Sequence, residues 1–548
     1  MTLGPENMDL RPQLQALKGL IADAREQVHM GSRLPATVRN RRLKKLMLRA
    51  ARLISLEQVG YNRAVVAALT EVADRLHDLE RRLDNLERRA DIEHESRKAD
   101  QTIQAIVETQ MDGVAAHPQP AARPAAVRAS RRAGTRPRLV SLSTFRVGRQ
   151  MNGGELRAYN LCRALAQTFD VEIVSLGRLG EVASQAEISP GVVETVVPRS
   201  LAHHAAELAH QQHMGLEFPL GDILAPDLLR FTPDFVEAAR TATNGAAAVQ
   251  LEHPYLFPTL EMIGCTAPVI YDAHNAELVM KAAMLPATAE GAVLLERVRD
   301  VEAATVAAAA LVATCSKADA DALCGEYGSA SARWVDVPNG VDLDSVACTT
   351  GTRRQAARMA WISRFQAAGG ALAGINHCAV FIASGHPPSW EAAEAVIAAA
   401  RELPSVGFFL VGTHALRFRQ RLLPDNVVAV GPLADFGRRV LMGCVDMGLN
   451  PMLSGGGSNL KVPGYFAAGV PVVATPFGVR GFDVVDGEHV LICEPGGLAD
   501  AIDEVRRDPQ RAERLALAGR RLVEDRYQWA GIGARLTDAV ADVTGGAA

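Results

Sequence analysis

Asn450-Pro-Met-Leu-Ser-Gly-Gly-Gly-Ser-Asn-Leu-Lys461, leading through Ala467-Ala-Gly469 into Val470-Pro-Val-Val-Ala-Thr475, is the stretch whose reading decides the fold. An apolar strand over 445–452, with Asp446 in it, runs into three glycines. Ser458, Asn459 and Lys461 then open a short helix, and a second buried strand is predicted over 471–475. A strand, glycine-rich loop and helix N-terminus is how α/β proteins cradle phosphate. The glycines let backbone N–H groups approach the ligand, the helix end carries partial positive charge, and a lysine adds a full one. The GxxxxGK[ST] spacing is absent, so this is no Walker loop. Alone, the loop reads equally well as a flexible connection.

The surrounding pattern supplies the context. From Arg138 onward, apolar strands alternate with amphipathic helices. Strands are predicted over 139–142, 171–175, 247–251, 269–271 and 311–315, with a loop and helix over 153–167. A second series begins at Ala379-Val-Phe-Ile382 and runs through a helix over 391–402 and strands over 406–411 and 427–430 to the glycine loop, with helices from Leu498 onward. Two successive β-α-β series imply two parallel sheets, hence two Rossmann-like domains facing a cleft. Ligands in such sheets sit at the carboxyl ends of the strands, where the glycine loops lie. The segment 181–234 follows no readable pattern and is expected to form variable loops that read an acceptor.

Upstream the composition changes. Residues 1–35 are mixed and polar, and are expected to be poorly ordered. Between 33 and 54 basic residues interleave with Leu43, Leu46, Met47, Leu48, Leu53 and Ile54. This cationic amphipathic helix reads either as a segment lying on an anionic bilayer or as a solvated face of a helical hairpin. Val65, Leu69, Val72, Leu76, Leu79, Leu83, Leu86 and Ala90 step alternately by four and three, a short coiled coil. Self-association through 65–90 and a lone helix packed on the body are the two readings. Ala, Pro and Arg then dominate a linker over 111–136. The expected domains are thus a helical segment over 36–110, the linker, an acceptor domain over 137–342 and a donor domain over 343–548, whose last helices cross back.

Composition excludes several functions. A net charge of -4 gives no reason to expect nucleic acid as a partner. The eight cysteines form no CxxC pair or zinc spacing, so they read as buried hydrophobes in a reducing compartment. No apolar run reaches the ~18 residues of a membrane span, and the first residues lack a signal-peptide layout. The expected location is cytoplasmic, with peripheral contact at the inner membrane face.

In its motifs the chain resembles the family 4 glycosyltransferases of the GT-B fold, of the bacterial surface-polysaccharide type, over roughly 137–545. The first half carries Asn152-Gly-Gly-Glu-Leu-Arg157, Tyr271-Asp-Ala-His-Asn-Ala-Glu277, Thr314-Cys-Ser316 and Pro338-Asn-Gly-Val-Asp342. The second carries Phe381-Ile-Ala-Ser-Gly-His-Pro-Pro388, Leu410-Val-Gly412, Val428-Ala-Val-Gly-Pro432, the 450–474 run, Phe477-Gly-Val-Arg-Gly481 and Tyr527-Gln-Trp529. The resemblance implies a retaining transferase moving a sugar from a UDP- or GDP-sugar to a glycan, lipid-linked or protein acceptor, with no cofactor. Breaking a sugar–diphosphate bond needs charge stabilisation of the leaving phosphate. No Asp-x-Asp stands at a strand end to chelate a metal, so cations and N–H groups must supply it.

By the same resemblance Lys461 and the loop Gly455, Gly456, Gly457, Ser458 and Asn459 would hold the diphosphate, and Ser384, Gly385 and His386 would contact phosphate where many relatives place Arg and Lys. Gly153 and Gly154 would let the first loop approach donor or acceptor, with Arg157 nearby. His274 would face the reacting sugar beside Asn275, making His274 and Lys461 the expected catalytic residues. Gly340 reads as a turn between the halves. One departure matters: Gly464 stands where relatives carry the Glu that binds the ribose hydroxyls, and Pro463 sits in the first turns of the same helix. That departure keeps open a degenerate GT-B scaffold as an alternative. A different GT-B chemistry, phosphorolysis or epimerisation, fits the motifs less well.

Overall fold

The computed structural model describes residues 136–545, apart from 151, 216–219, 329–331, 350, 368–373, 420, 434 and 456–457. The basic segment 33–54, the heptads 65–90 and the linker up to 135 lie outside the described residues, as do Gly456 and Gly457.

The first sheet has eight strands: β1 (Arg138–Ser143), β2 (Asp170–Gly177), β3 (Ser184–Ser189), β4 (Val192–Pro198), β5 (Ala248–Leu251), β6 (Val269–Ala273), β7 (Ala309–Thr314) and β8 (Arg333–Asp336). Their spatial order is β3-β4-β2-β1-β5-β6-β7-β8. The second sheet contains β9 (His377–Ile382), β10 (Val406–Val411), β11 (Val427–Gly431), β12 (Met447–Asn450), β13 (Val472–Ala474) and β14 (Leu491–Ile492), in the order β11-β10-β9-β12-β13-β14. Every pairing is parallel except β3 with β4. The strands read as near-continuous apolar runs because helices cover both faces, as in β10, buried at all six positions.

Each sheet changes direction once. In the first the order reverses between β1 and β5, in the second between β9 and β12. At such a reversal the connections leave to opposite faces and open a crevice at the strand carboxyl ends. The glycine-rich stretches follow β1 and β12, one at each reversal.

Three differences from the sequence reading have physical causes. The segment expected to be loops folds in part, as the β3–β4 hairpin and the helices Leu201–His213 and Ala225–Leu228. β3 is an exposed edge strand with almost no apolar face, so periodicity could not show it. Gly340 is more than a turn: a Cβ there would lie 2.7 Å from Ile532 Cδ1 and 2.8 Å from the Tyr527 carbonyl. The returning chain crosses at this point, where the Val341 amide donates to the Tyr527 carbonyl at 2.8 Å. The helix Trp529–Val543 then packs in the first half, burying Trp529, Ile532, Leu536 and Val540 in a cluster with Leu139, Leu161 and Leu165. Finally, β12 starts later than predicted because the Val445 amide still bonds back to the Leu441 carbonyl, at 3.0 Å, and Asp446 is the first residue to reach β9, its amide donating to the Cys378 carbonyl at 2.8 Å.

Candidate active site

The first crevice is built on charge pairs laid under the strand ends. Asn152 caps the helix Gly153–Leu165: its Oδ1 accepts from the Glu155 amide at 3.0 Å, and its Nδ2 donates to Glu155 Oε1 at 2.8 Å. That cap fixes the helix, and one turn on Arg157 points inward, 1% exposed. Its guanidinium donates to Asp272 through Nε (3.1 Å) and Nη2 (2.5 Å), and through Nη1 to the Val337 carbonyl at 2.6 Å. Asp272 Oδ2 lies 3.3 Å from His274 Nε2, and the same nitrogen is 3.2 Å from Glu252 Oε2. Ser141 and Gln250 satisfy the other Glu252 oxygen at 2.6 and 2.9 Å.

The result is two cations and two carboxylates, all buried, in mutual contact. Burial alone would raise the Asp272 pKa, but Arg157 and then His274 outweigh it and hold the carboxyl below its ordinary range. Burial would likewise neutralise His274, yet its hydrogen bonds with Asp272 and Glu252 lift it to about 9. His274 is therefore an imidazolium at neutral pH. A Cβ on Gly154 would stand 3.4 Å from its Nδ1. Glu252, Asp272 and His274 could by spacing hold a metal ion, their ligand atoms lying within 4.8 Å of one another. Their oxygens are already engaged by Arg157, Ser141, Gln250 and the imidazolium, so a proton fills the role a cation would have there.

Beside this group lies a second imidazole, His253, with ring centroids 4.5 Å from His274. Its Nδ1 is 3.4 Å from Glu277 Oε1. Glu277 also accepts from the Tyr255 hydroxyl at 2.7 Å and from Asn275 Nδ2 at 3.0 Å. Burial opposes its charge, but His253 and Lys281 hold its pKa low. Beneath, the Glu302 carboxylate accepts the amides of Glu277 (2.7 Å) and Leu278 (3.1 Å), and so pins the turn that carries His274 and Asn275. Burial pushes Glu302 up to about 7 despite those amides.

The second crevice is built differently. Gly455 takes a φ of 122°, which favours glycine, as the chain leaves β12. Lys461 opens the helix Lys461–Ala467 and lies half-buried, its Nζ 4.8 Å from the centroid of the Phe381 ring and 3.2 Å from Asn450 Oδ1. Among the described residues no carboxylate pairs with it, and burial lowers its pKa to about 7. Asn450 is fixed in turn by donating to the Gly478 carbonyl at 2.5 Å. Ser384, Gly385 and His386 form an exposed turn after β9, held from below by His414, whose Nδ1 bonds the Ala383 carbonyl at 2.9 Å. Burial lowers His414 to about 4, so it stays neutral.

The two sides meet. A Cβ on Gly153 would lie 3.0 Å from Leu460 Cδ1, whereas Gly154 faces His274, so adjacent glycines serve opposite halves. Asn339 Nδ2 donates to Ser458 Oγ at 2.9 Å, while Asn339 Oδ1 lies 3.4 Å from Arg157 Nη1. Gly153, Gly154, His274, Asn275 and Ser458 thus gather around one junction. Arg157, expected in the cleft, is instead buried behind it, because its guanidinium is consumed by Asp272 and the Val337 carbonyl. Asn459 turns inward to the Gly478 carbonyl at 3.3 Å. The sequence reading missed Glu252, His253, Asp272 and Asn339. One signal was available: Glu252-His253 and Asp272-Ala-His274 both place an acid and a histidine at the end of a strand.

Two doubly wound sheets with ligand loops at facing reversals define the GT-B class. Residues 151–345 match the family model described as Glycosyltransferase Family 4, and residues 379–508 match Glycosyl transferases group 1. No curated protein sequence matches the chain. Among solved structures, sucrose-phosphate synthase from Thermosynechococcus elongatus is similar with a TM-score of 0.57 and 18% identity, over 73% of this chain and 98% of that one. Anabaena HepE in complex with UDP and glucose gives 0.54 and 15%, over 74% and 100%. An α,α-trehalose-phosphate synthase from Burkholderia xenovorans in complex with glucose 6-phosphate gives 0.51 and 15%, over 74% and 99%. These likenesses are of fold. Together the two family matches span more than half of the chain and mark it as a glycosyltransferase of the GT-B type.

Proposed function

We propose that the protein is a retaining glycosyltransferase that moves a sugar from a UDP-sugar to a hydroxyl acceptor without a metal ion. Lys461 carries the reading: it is a lysine at a strand reversal, with no carboxylate partner among the described residues, on the loop where a diphosphate would leave and would restore its charge. The UDP complex of HepE supports the choice of base. In the reaction the bond from the anomeric carbon to the diphosphate breaks, and its electron pair goes to the diphosphate. The acceptor oxygen bonds to the same face of that carbon, and its proton passes to a departing phosphate oxygen. Lys461 stabilises the leaving charge. His274 donates from Nδ1 to the sugar, and the carboxylates behind it cancel its charge, so it does not oppose the positive charge growing there.

A binding protein without turnover is the second reading, and Gly464 favours it: a Cβ there meets nothing within 4 Å, so open space stands where a ribose-binding carboxylate would be. Calorimetric titration with UDP, GDP and their glucose and mannose conjugates, followed by an assay for released nucleotide, separates the two. Saturable binding with release of UDP supports the transferase. Binding without release supports the scaffold, and no binding by any of them removes the donor assignment. In the same reading the basic segment 33–54 rests on an anionic bilayer and 65–90 pairs two copies. Vesicle co-sedimentation and sedimentation velocity test these two points.

A further inference from the structure

Resting on that transferase reading, we infer that Glu194 is a positioning residue for turnover: it holds the turn after β1 in the shape that sets Phe145 against His274. Glu194 is an acid in an apolar run, Val192-Val193-Glu194-Thr195-Val196-Val197, buried between Val192 and Val196 on one face of β4. An acid buried there destabilises a sheet unless its oxygens find donors. These donors come from outside its own strand. Oε1 accepts the Val147 amide at 2.6 Å and the Ser175 hydroxyl at 2.7 Å, and Oε2 accepts the Gly148 amide at 3.0 Å. Arg146 Nε, at 3.9 Å, stands beyond hydrogen-bond reach, so the turn is tied to β4 through its main-chain amides rather than its arginine.

Three features tie the shape of the turn to that carboxyl group. Two successive amides converge on one acid, the way loops hold a phosphate, and here the protein fills the place itself. A Cβ on Gly148 would lie 2.7 Å from Glu194 Oε2 and 3.0 Å from Ile188 Cγ2, so a glycine lets the carboxyl close. Gln150 takes a φ of 52°, alone among the described non-glycine residues in being positive, which its surroundings must impose. The turn bears on the chemistry through Phe145. The Phe145 Cζ stands 3.6 Å from the place of a Gly154 Cβ, and its ring lies edge-on to His274 at 6.2 Å and to His253 at 5.7 Å. The turn that follows His274 is held by the same device, since Glu302 accepts the successive amides of Glu277 and Leu278. His274 thus lies between two turns, each fixed by one buried acid. Glu194 touches no ligand in this scheme and moves no proton.

The test separates position from stability. Glu194→Gln keeps one acceptor oxygen and turns a donor toward a donor at the other. Gly148→Ala leaves Glu194 in place and pushes its carboxyl off the turn. Ser175→Ala removes a hydrogen bond from the same carboxyl while the turn amides stay bound, so it is the control. With the full chain, release of UDP from UDP-glucose, UDP-galactose and UDP-N-acetylglucosamine is measured beside UDP affinity, the denaturant midpoint and the His274 C2–H proton signal. The expected result for Glu194→Gln and Gly148→Ala is a kcat lower by about 10–100-fold, the cost of a misplaced group, with UDP affinity unchanged and the His274 signal moved. Ser175→Ala should keep the wild-type kcat and His274 signal while its midpoint falls. Turnover that tracks the midpoint across all the variants overturns the assignment and leaves the transferase reading standing. Wild-type kcat in Glu194→Gln and Gly148→Ala does the same. Failure of the wild type to release UDP from any of these sugars removes that reading and the role built on it.

Discussion

The two sides of the junction handle charge in opposite ways. In the first half Arg157, His274, Asp272 and Glu252 form a closed set in which each ion has its counterion within the protein. In the second half Lys461 lies on a phenyl ring with one amide oxygen for company. A closed set is fixed before any ligand arrives and costs no reorganisation when the reaction begins. An unpaired, partly desolvated lysine is a standing cost that an anionic ligand relieves. Under the proposed function, the first half orients and the second binds.

The largest effect should come from opening the closed set. Arg157→Leu strands Asp272 in the interior and should cost about 3–5 kcal/mol, read as a lowered denaturant midpoint. Arg157→Lys should not restore it, because a single ammonium cannot make the forked contact to Asp272 and still reach the Val337 carbonyl. Stability equal to wild type in both variants would show that the set is not closed.

On the other side, Lys461→Ala should fold normally and bind UDP about 10–100-fold more weakly, the worth of hydrogen bonds to a charged group. Because Lys461 sits near pH 7 in the free protein and a diphosphate restores its charge, UDP binding at pH 8 should take up a proton. Calorimetry in buffers of different ionisation enthalpy measures this, and the uptake should vanish in Lys461→Ala. Proton uptake that persists in the variant would assign it elsewhere.

The pH dependence of stability should split the same way. The His274 pKa is raised, so its contribution is complete below about pH 6.5, the ordinary imidazole value, and is lost as the pH rises through about 9. Lys461 is depressed, so folding is favoured above about pH 10.4 and penalised as the pH falls through about 7. Melting curves between pH 6 and 10 should therefore lose their falling component in His274→Gln and their rising component in Lys461→Met.

The smallest change sharpens the second half. Gly464→Glu meets open space and replaces a helical glycine, so it should not destabilise the fold. With a ribose at hand it should tighten UDP by about 2–10-fold. Unchanged affinity would place the ribose elsewhere.

The sequence exposed what rests on period and spacing. The two β-α-β series and the 450–475 run were legible because buried strands are continuous apolar runs and glycines mark close approaches. The turn carrying His274 and the loop carrying Lys461 were legible from motif order. The charge set was not, because Glu252 and Asp272 come from different strands, and only the parallel register of β1, β5 and β6 brings them together. Arg157 was misplaced for the same reason: helix position gives its turn, but only packing tells whether it points into a cleft or behind it. Asn339 was hidden as one letter of a turn motif.

The helix Trp529–Val543 also has a consequence for biosynthesis. A ribosome delivers the eight strands of the first sheet long before it delivers the helix that covers part of that sheet. Until Trp529, Ile532, Leu536 and Val540 emerge, Leu139, Leu161 and Leu165 have an incomplete roof, and the nascent first half exposes an apolar strip while the second half is still being made. Gly533 sets how tightly that late roof seats, since a Cβ there would meet Ala164 Cβ at 2.2 Å. The order of synthesis thus differs from the order of packing. The last helix closes over the earlier half only after both sheets have been made.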